Sequence, residues 1–181
     1  TEITIKLVKD TFERKLAEEL GLIRVSAPLF VEPQTGLNDN LTGVEKAVSF
    51  KSVELGYELE VVQSLAKWKR NALKMYNFKA DTGLYTDMNA IRPFEDLDNI
   101  HSLYVDQWDW EKIITKEERN LDFLKETVNK IYKALLKTEE VLVKAYPVLN
   151  HNLPKEIKFI STTELEEKYP NLSRKERENK I

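Results

Sequence analysis

The stretch HSLYVDQWDWE, residues 101–111, decides the fold of this chain. If it forms a β-strand, successive side chains point to opposite faces, because the side-chain period of a strand is two residues. One face then carries Leu103, Val105, Gln107 and Asp109. The other face carries Tyr104, Asp106, Trp108 and Trp110. We therefore expect a strand with one face that ends in polar groups and one face that is largely aromatic.

Gln107 and Asp109 would form a rigid hydrogen-bonding pair on that strand. A carboxylate only accepts hydrogen bonds, whereas a primary amide both donates and accepts them, so the pair suits an ammonium group and a polar neighbour. An edge strand with a solvated polar end is the alternative. Two of the three tryptophans lie in this stretch, and large aromatic side chains usually pack against something, which favours a functional strand.

The composition restricts the classes of protein that the chain can represent. Its 181 residues, 41% hydrophobic and 33% charged, suffice for one domain with a core. A net charge of −3 without a dense basic run argues against nucleic acid as a partner. The chain has no cysteine, which removes thiolate chemistry.

No apolar run approaches the roughly 20 residues of a membrane span, and no signal peptide is visible. We expect a cytoplasmic protein without a membrane partner.

An amphipathic helix is predicted at the start of the chain, because apolar residues recur there at helical spacing. These residues are Ile5, Val8, Phe12, Leu16 and Leu20. Gly21 follows where a C-terminal cap belongs, and residues 22–25 form a short extended run. Residues 32–43 have the composition of a long loop with Asp39 at its centre, and such loops often carry function.

Two strands and a helix are predicted next. The strands cover residues 44–50 and 58–62, and Ser64 is placed to cap a helix over residues 65–76. Lys69 lies near the start of this helix, and among its basic residues it is the best placed to reach a ligand.

The strand at residues 101–111 has a predicted partner at residues 84–92. The connection between them is short, so the two most simply form an antiparallel pair. Arg92 would then lie near the start of the strand that carries Gln107 and Asp109.

Capping boxes, in which a Ser or Thr is followed three residues later by Glu, predict three helices in the last third of the chain. They begin at Thr115, Thr163 and Ser173. The first helix has one apolar stripe that we expect to be buried: Leu121, Leu124, Val128, Ile131, Leu135, Leu142 and Ala145. Residues 156–160 are a predicted strand. Together these elements predict an α+β fold, an antiparallel sheet flanked by helices, in a single domain over residues 1–181.

Four segments resemble the ammonia-dependent asparagine synthetases, the aspartate–ammonia ligases. They are LNDNLTGVEKAV (37–48), VVQSLAKWKR (61–70), LYTDMNAIRPFED (84–96) and HSLYVDQWDWE (101–111). The resemblance implies the catalytic fold of class II aminoacyl-tRNA synthetases. Members of this family run further at the C-terminus, so the resemblance implies that residues 1–181 are a catalytic domain whose C-terminal part is missing.

The resemblance also implies a reaction. ATP activates the β-carboxylate of L-aspartate to β-aspartyl-AMP and pyrophosphate, and ammonia then gives L-asparagine and AMP, with Mg²⁺ as cofactor and a homodimer as the assembly. The other asparagine synthetase class takes its nitrogen from glutamine through a Cys nucleophile. The chain has no cysteine, which fits free ammonia as the donor.

Specific residues match positions that carry this chemistry in the family. Arg92 and Lys69 are the expected catalytic residues, and Arg92 and Glu95 are expected to bind the nucleotide. The expected amino-acid-binding residues are Asp39, Gln63, Ser64, Gln107 and Asp109. Several relatives have His in place of Gln63, so Gln63 is expected to contact substrate without an acid–base role, because only His titrates near neutral pH.

Two other functions remain open at the level of sequence. One is an aspartyl- or asparaginyl-tRNA synthetase-like core, which would share the aspartate pocket. The other is a non-catalytic paralogue that senses an amino acid. The presence of both Arg92 and Lys69 favours catalysis over sensing.

Overall fold

The computed structural model describes residues 1–39 and 41–181, which form five helices and two three-stranded sheets. The helices are α1 (Glu2–Leu20), α2 (Ala66–Met75), α3 (Leu121–Ala145), α4 (Thr162–Lys168) and α5 (Arg174–Glu178). The strands are β1 (Leu22–Arg24), β2 (Phe30–Val31), β3 (Ser49–Lys51), β4 (Glu58–Val61), β5 (Gly83–Ile91) and β6 (Tyr104–Lys112). None of the described helices is long and apolar enough to cross a lipid bilayer.

The larger sheet has the order β1-β5-β6 and confirms the predicted antiparallel pair. Its register places Met88 opposite Gln107 and Thr86 opposite Asp109. β1 joins the other edge of β5 in a parallel arrangement that the sequence did not predict. The smaller sheet, β2-β4-β3, is antiparallel throughout. The α+β prediction is therefore confirmed, with one parallel strand added.

The two faces of the larger sheet pack against different helices. Apolar residues of β5 and α2 form one core, which includes Leu84, Met88, Ala90, Trp68, Ala72 and Leu73. On the opposite face, Tyr85 packs with residues of α1 and α3, and the Trp108 ring lies 5.3 Å from that of Phe12. The predicted alternation along β6 is confirmed, because Gln107 and Asp109 lie on the α2 face and Trp108 lies on the α1 face.

The first helix ends as predicted. Gly21 has a left-handed backbone, with φ of 68°, and its N–H donates to the carbonyl of Ala17. A residue with a side chain would be strained in this conformation, so glycine allows the chain to leave α1 and enter β1 directly.

Two strand predictions were wrong, one in its length and one in its existence. Of residues 44–50, only Ser49 and Phe50 lie in β3, because pairing with β4 is limited to Ser49–Lys51. Residues 156–160 form no strand, since no described strand pairs with them, and an extended segment needs a partner for its backbone hydrogen bonds.

The start of α3 was also predicted wrongly. Thr115 and Glu118 make both hydrogen bonds of a capping box, at 2.6 and 3.3 Å, but only a turn follows them. The helix starts at Leu121, where the Asn120 side chain accepts the Phe123 N–H at 2.8 Å. The predicted stripe of α3 is not fully buried, because Leu121 remains 62% exposed.

The remaining helix starts differ by smaller amounts. α2 begins at Ala66, one residue later than predicted, with Leu65 in the N-cap position and the Ser64 hydroxyl accepting the Ala66 N–H. The capping box of α4 is formed by Ser161 and Glu164, two residues before the predicted one. The box at Ser173 is confirmed as the start of α5.

Candidate active site

A buried ion pair joins α2 to β6. The side chain of Lys69 is only 1% exposed, and its ammonium group donates to Asp109 Oδ1 and, at 3.2 Å, to the carbonyl of Trp110. A buried ammonium group is costly unless it is paired and hydrogen-bonded. The pair therefore fixes the orientation of Asp109, which is 25% exposed and keeps access to solvent. Two of the predicted site residues are thus in contact.

Gln107 lies two residues before Asp109 on the same face of β6. Within the described chain, the only hydrogen bond of its side chain is a weak one, from Nε2 to the Met88 sulfur at 3.3 Å. The amide oxygen is therefore available to a ligand. Gln107 and Asp109 do not bond to each other, but both face the side on which Lys69 is buried.

A second group forms around the main chain of Gln63. The carbonyl of Gln63 accepts a hydrogen bond of 2.6 Å from Nη1 of Arg92, and its N–H donates to Asn38 Oδ1 at 2.8 Å. Arg92 is held at its own backbone as well, where its N–H donates to the carbonyl of Leu103 at 2.7 Å. The guanidinium is thus anchored at one nitrogen, and its other N–H groups remain available to an anion.

A cavity of about 370 Å³ opens beside this group. Its lining includes three predicted site residues, Gln63, Arg92 and Glu95. Gln63 is only 4% exposed, and no other described residue hydrogen-bonds its side-chain amide. Within the described part of the chain this amide has no partner, so it is available to a ligand in the cavity that Gln63 lines.

The same cavity contains residues that the sequence had not singled out. They are Leu41, Thr42, Glu45, Ile91, Pro93 and Phe94. The Thr42 hydroxyl donates to Glu45 at 2.7 Å and holds the pKa of that carboxyl below its usual value. The cavity therefore contains one guanidinium, from Arg92, and the carboxylates of Glu45 and Glu95.

Asp39 and Ser64 lie near the N-terminus of α2 but join neither group directly. Asp39 Oδ1 is 3.9 Å from Nζ of Lys67. The Ser64 hydroxyl accepts the Ala66 N–H at 3.2 Å. Lys67 also donates to the carbonyl of Asn38 at 3.3 Å, so it contacts both Asn38 and Asp39.

Asn38 and Lys67 contact predicted site residues and were also not singled out by the sequence analysis. The signal for Asn38 was its place beside Asp39 in the polar segment LNDN. Its burial, at 5% exposure, depends on contacts with β4 that lie 22 and 23 residues further along the chain, and local pattern does not reveal these.

Within residues 1–39 and 41–181, no three His, Cys, Asp or Glu side chains are grouped so that they could hold a metal ion. The described residues therefore do not form a metal site of their own.

The sequence of this chain matches one family of proteins. The sequence model described as "Aspartate-ammonia ligase" matches residues 1–181. The protein named aspartate–ammonia ligase from Fusobacterium nucleatum is 61% identical over 179 residues, which is 99% of this chain and 54% of that protein. Its namesake from Clostridium tetani is 61% identical over 183 residues, and that from Lactobacillus johnsonii is 56% identical over 182 residues. Both matches cover 100% of this chain, together with 53% of the Clostridium protein and 54% of the Lactobacillus protein.

Two solved structures were matched over part of the chain. The asparaginyl-tRNA synthetase of Entamoeba histolytica matches 83% of this chain and 32% of its own, with a TM-score of 0.49 and 12% identity. A pyrrolysyl-tRNA synthetase of Desulfitobacterium hafniense matches 68% of this chain and 44% of its own, with a TM-score of 0.48 and 15% identity.

The chain spans about half the length of the curated relatives that it matches. Within that span the match is nearly end to end, and it includes every residue of the two groups around Lys69 and Gln63. The chain belongs to the aspartate–ammonia ligase family.

Proposed function

We propose that the protein containing this chain converts L-aspartate and ammonia to L-asparagine, with cleavage of ATP to AMP and pyrophosphate. The observation that carries the proposal is the match of the whole chain to the aspartate–ammonia ligase family. The geometry supports it, because a cation for phosphate and a carboxylate–amide pair for an amino acid lie on the same side of the β5–β6 pair.

In the first step, an oxygen of the β-carboxylate attacks the α-phosphorus of ATP, the bond to the β-phosphate breaks, and pyrophosphate leaves. Both reacting groups are anions, so the step requires a cation between them. Arg92 fits this role, because a planar guanidinium binds two oxygens at once and the hydrogen bond to the Gln63 carbonyl fixes its position. Glu95 lines the same cavity and is assigned to the nucleotide.

The α-ammonium group of aspartate is assigned to Asp109, with Gln107 beside it. Lys69 would then act mainly through Asp109, because its ammonium group already bonds to that carboxylate and to the Trp110 carbonyl. Asp39, Ser64 and the Gln63 amide complete the amino-acid site in this proposal.

In the second step, the nitrogen lone pair of ammonia attacks the β-carbonyl carbon of β-aspartyl-AMP. The bond from this carbon to the phosphate oxygen breaks, AMP leaves with the bonding electrons, and the nitrogen loses one proton. No described residue is assigned to that proton.

Magnesium, a homodimer and a cytoplasmic location complete the proposal. Magnesium prefers oxygen ligands and often uses those of substrate phosphates. The described residues offer no cluster of three ligands for it.

The direct test supplies the whole protein with aspartate, ATP, magnesium and either ammonium or glutamine. Asparagine and AMP should form in equal amounts with ammonium. ADP as the nucleotide product, or equal rates with glutamine, would contradict the proposal. A parallel reaction with tRNA tests the alternative, since aspartyl- or asparaginyl-tRNA would indicate a tRNA synthetase.

A further inference from the structure

Asn38 makes three side-chain hydrogen bonds at the site. It is 5% exposed, and its side chain spans from the loop to the end of β4. Nδ2 donates to Glu60 Oε2 and to the Val61 carbonyl, each at 3.2 Å, and Oδ1 accepts the Gln63 N–H at 2.8 Å.

These three bonds use both amide protons and the amide oxygen. Only an amide of this size provides two donors and an acceptor at once. A carboxylate in the same place would have no proton for the Val61 carbonyl and would face the carboxylate of Glu60. The site therefore requires asparagine, and each broken bond would leave a buried polar group without a partner.

The same residue connects the two ends of the proposed substrate site. Its side chain holds the N–H of Gln63, whose carbonyl accepts from Arg92. Its main-chain carbonyl accepts from Lys67, whose ammonium group lies 3.9 Å from the adjacent Asp39. Asp39 and Gln63 are thus both fixed through Asn38, whereas Arg92 has a second anchor at the Leu103 carbonyl.

We infer that Asn38 is a positioning residue that holds Asp39 and Gln63 in the geometry needed to bind the amino-acid substrate. This role rests on the proposed function. Asn38 itself need not touch substrate, because it acts through the loop backbone and the Gln63 peptide. Small displacements of binding groups are expensive, since a shift of about 1 Å can reduce a rate on the order of 100-fold.

The test compares Asn38→Asp and Asn38→Ala with the control Asn71→Ala in the whole protein. Asn71 is exposed on α2, and among the described residues its side chain hydrogen-bonds only to Met75 of the same helix. In both Asn38 variants we expect kcat/KM for aspartate to fall on the order of 100-fold, with little change in KM for ATP. Each variant serves if the other does not fold, because Asn38→Asp keeps the shape and the acceptor, whereas Asn38→Ala avoids a second carboxylate beside Glu60.

Hydrogen exchange at the backbone N–H of Gln63, which donates to Asn38 Oδ1, provides a readout that does not depend on activity. Exchange should be faster in the Asn38 variants than in wild type and in Asn71→Ala. The positioning role would be overturned if kcat/KM for aspartate in the Asn38 variants equalled that of the control. It would also be overturned if kcat/KM fell equally for aspartate and for ATP.

The two proposals fail in different ways. A wild-type protein that makes no asparagine would refute the proposed function, and with it the substrate-positioning role. An active wild-type protein whose Asn38 variants match the control would refute only the role of Asn38.

Discussion

At the scale of single residues, Lys69 shows both what the sequence reveals and what it hides. Its place early in α2 was predictable, and so was the face of β6 that carries Asp109. The contact between them was not, because helix and strand meet only after residues 40 positions apart pack together. Lys69 was expected to reach a ligand, yet its ammonium group faces the carboxylate of Asp109.

Removing the charge of Lys69 should destabilise the fold. In Lys69→Met, the partly buried Asp109 loses its cation, and we expect the free energy of unfolding to fall by about 3 kcal/mol. Urea denaturation measures the change. Adding Asp109→Asn should restore part of the loss, since the unpaired carboxylate is then removed.

The control for this prediction is Arg70→Met on the same helix. Arg70 is 69% exposed, and its Nε lies 3.5 Å from Glu111 Oε1, so its removal should change stability little. Equal losses for Lys69→Met and Arg70→Met would show that the buried pair does not stabilise the fold.

Arg92→Lys should affect adenylation more than aspartate binding. Lysine keeps the charge but lacks the planar fork, and loss of one such contact in the transition state costs about 3 kcal/mol. Aspartate-dependent exchange of pyrophosphate into ATP measures this step. Arg70→Lys is the matched control. Exchange at the wild-type rate in Arg92→Lys would remove Arg92 from the reaction.

Tyr85 should make the fold sensitive to alkaline pH. Burial, together with a hydrogen bond of 2.8 Å from its hydroxyl to Glu13, raises the pKa of Tyr85 to about 12 from an ordinary value of 10. The folded state therefore holds this proton more tightly than the unfolded state does. Its contribution is complete below pH 10 and is lost as the pH rises towards 12.

We expect the free energy of unfolding of wild type to fall by about 2 kcal/mol more than that of Tyr85→Phe between pH 9 and pH 12. Urea denaturation at several pH values measures both. Parallel curves for the two proteins would contradict the burial of an un-ionised Tyr85.

At the scale of elements, the sequence predicted the type of cap at the start of a helix but not the residue at which the helix begins. The capping pattern occurs at both Ser161 and Thr163, two residues apart, and only packing selects the first. At Thr115 the two hydrogen bonds of the box form, but the chain makes a turn before α3 begins at Leu121. A local pattern predicts local hydrogen bonds, whereas the continuation of a helix depends on what its face packs against.

The cap of α3 provides a test at this scale. Asn120→Ala should lower the free energy of unfolding by about 1 kcal/mol, because the Phe123 N–H loses its partner. Asn120→Asp keeps the acceptor and should retain most of the stability. A larger loss for Thr115→Ala than for Asn120→Ala would favour the helix start predicted from sequence over the observed one.

At the scale of the whole molecule, the β5–β6 pair follows from the sequence, and the smaller sheet does not. Two long alternating segments with a short connection predict an antiparallel hairpin almost unaided. β2 contains only Phe30 and Val31, which is too short for any periodic signal, and it is a strand only because it pairs with β4. The cavity beside Arg92 combines residues from three separate segments, so its shape could not be predicted.

The central claim is that the β-carboxylate of aspartate becomes bonded to the α-phosphate of ATP within this site. The most direct test uses aspartate with oxygen-18 in both β-carboxylate oxygens, together with ATP, magnesium and ammonium in the whole protein. Mass spectrometry should find one labelled oxygen in the phosphate of AMP, because the carbon–oxygen bond breaks when ammonia attacks. Unlabelled AMP, or label in orthophosphate alongside ADP, would contradict the account.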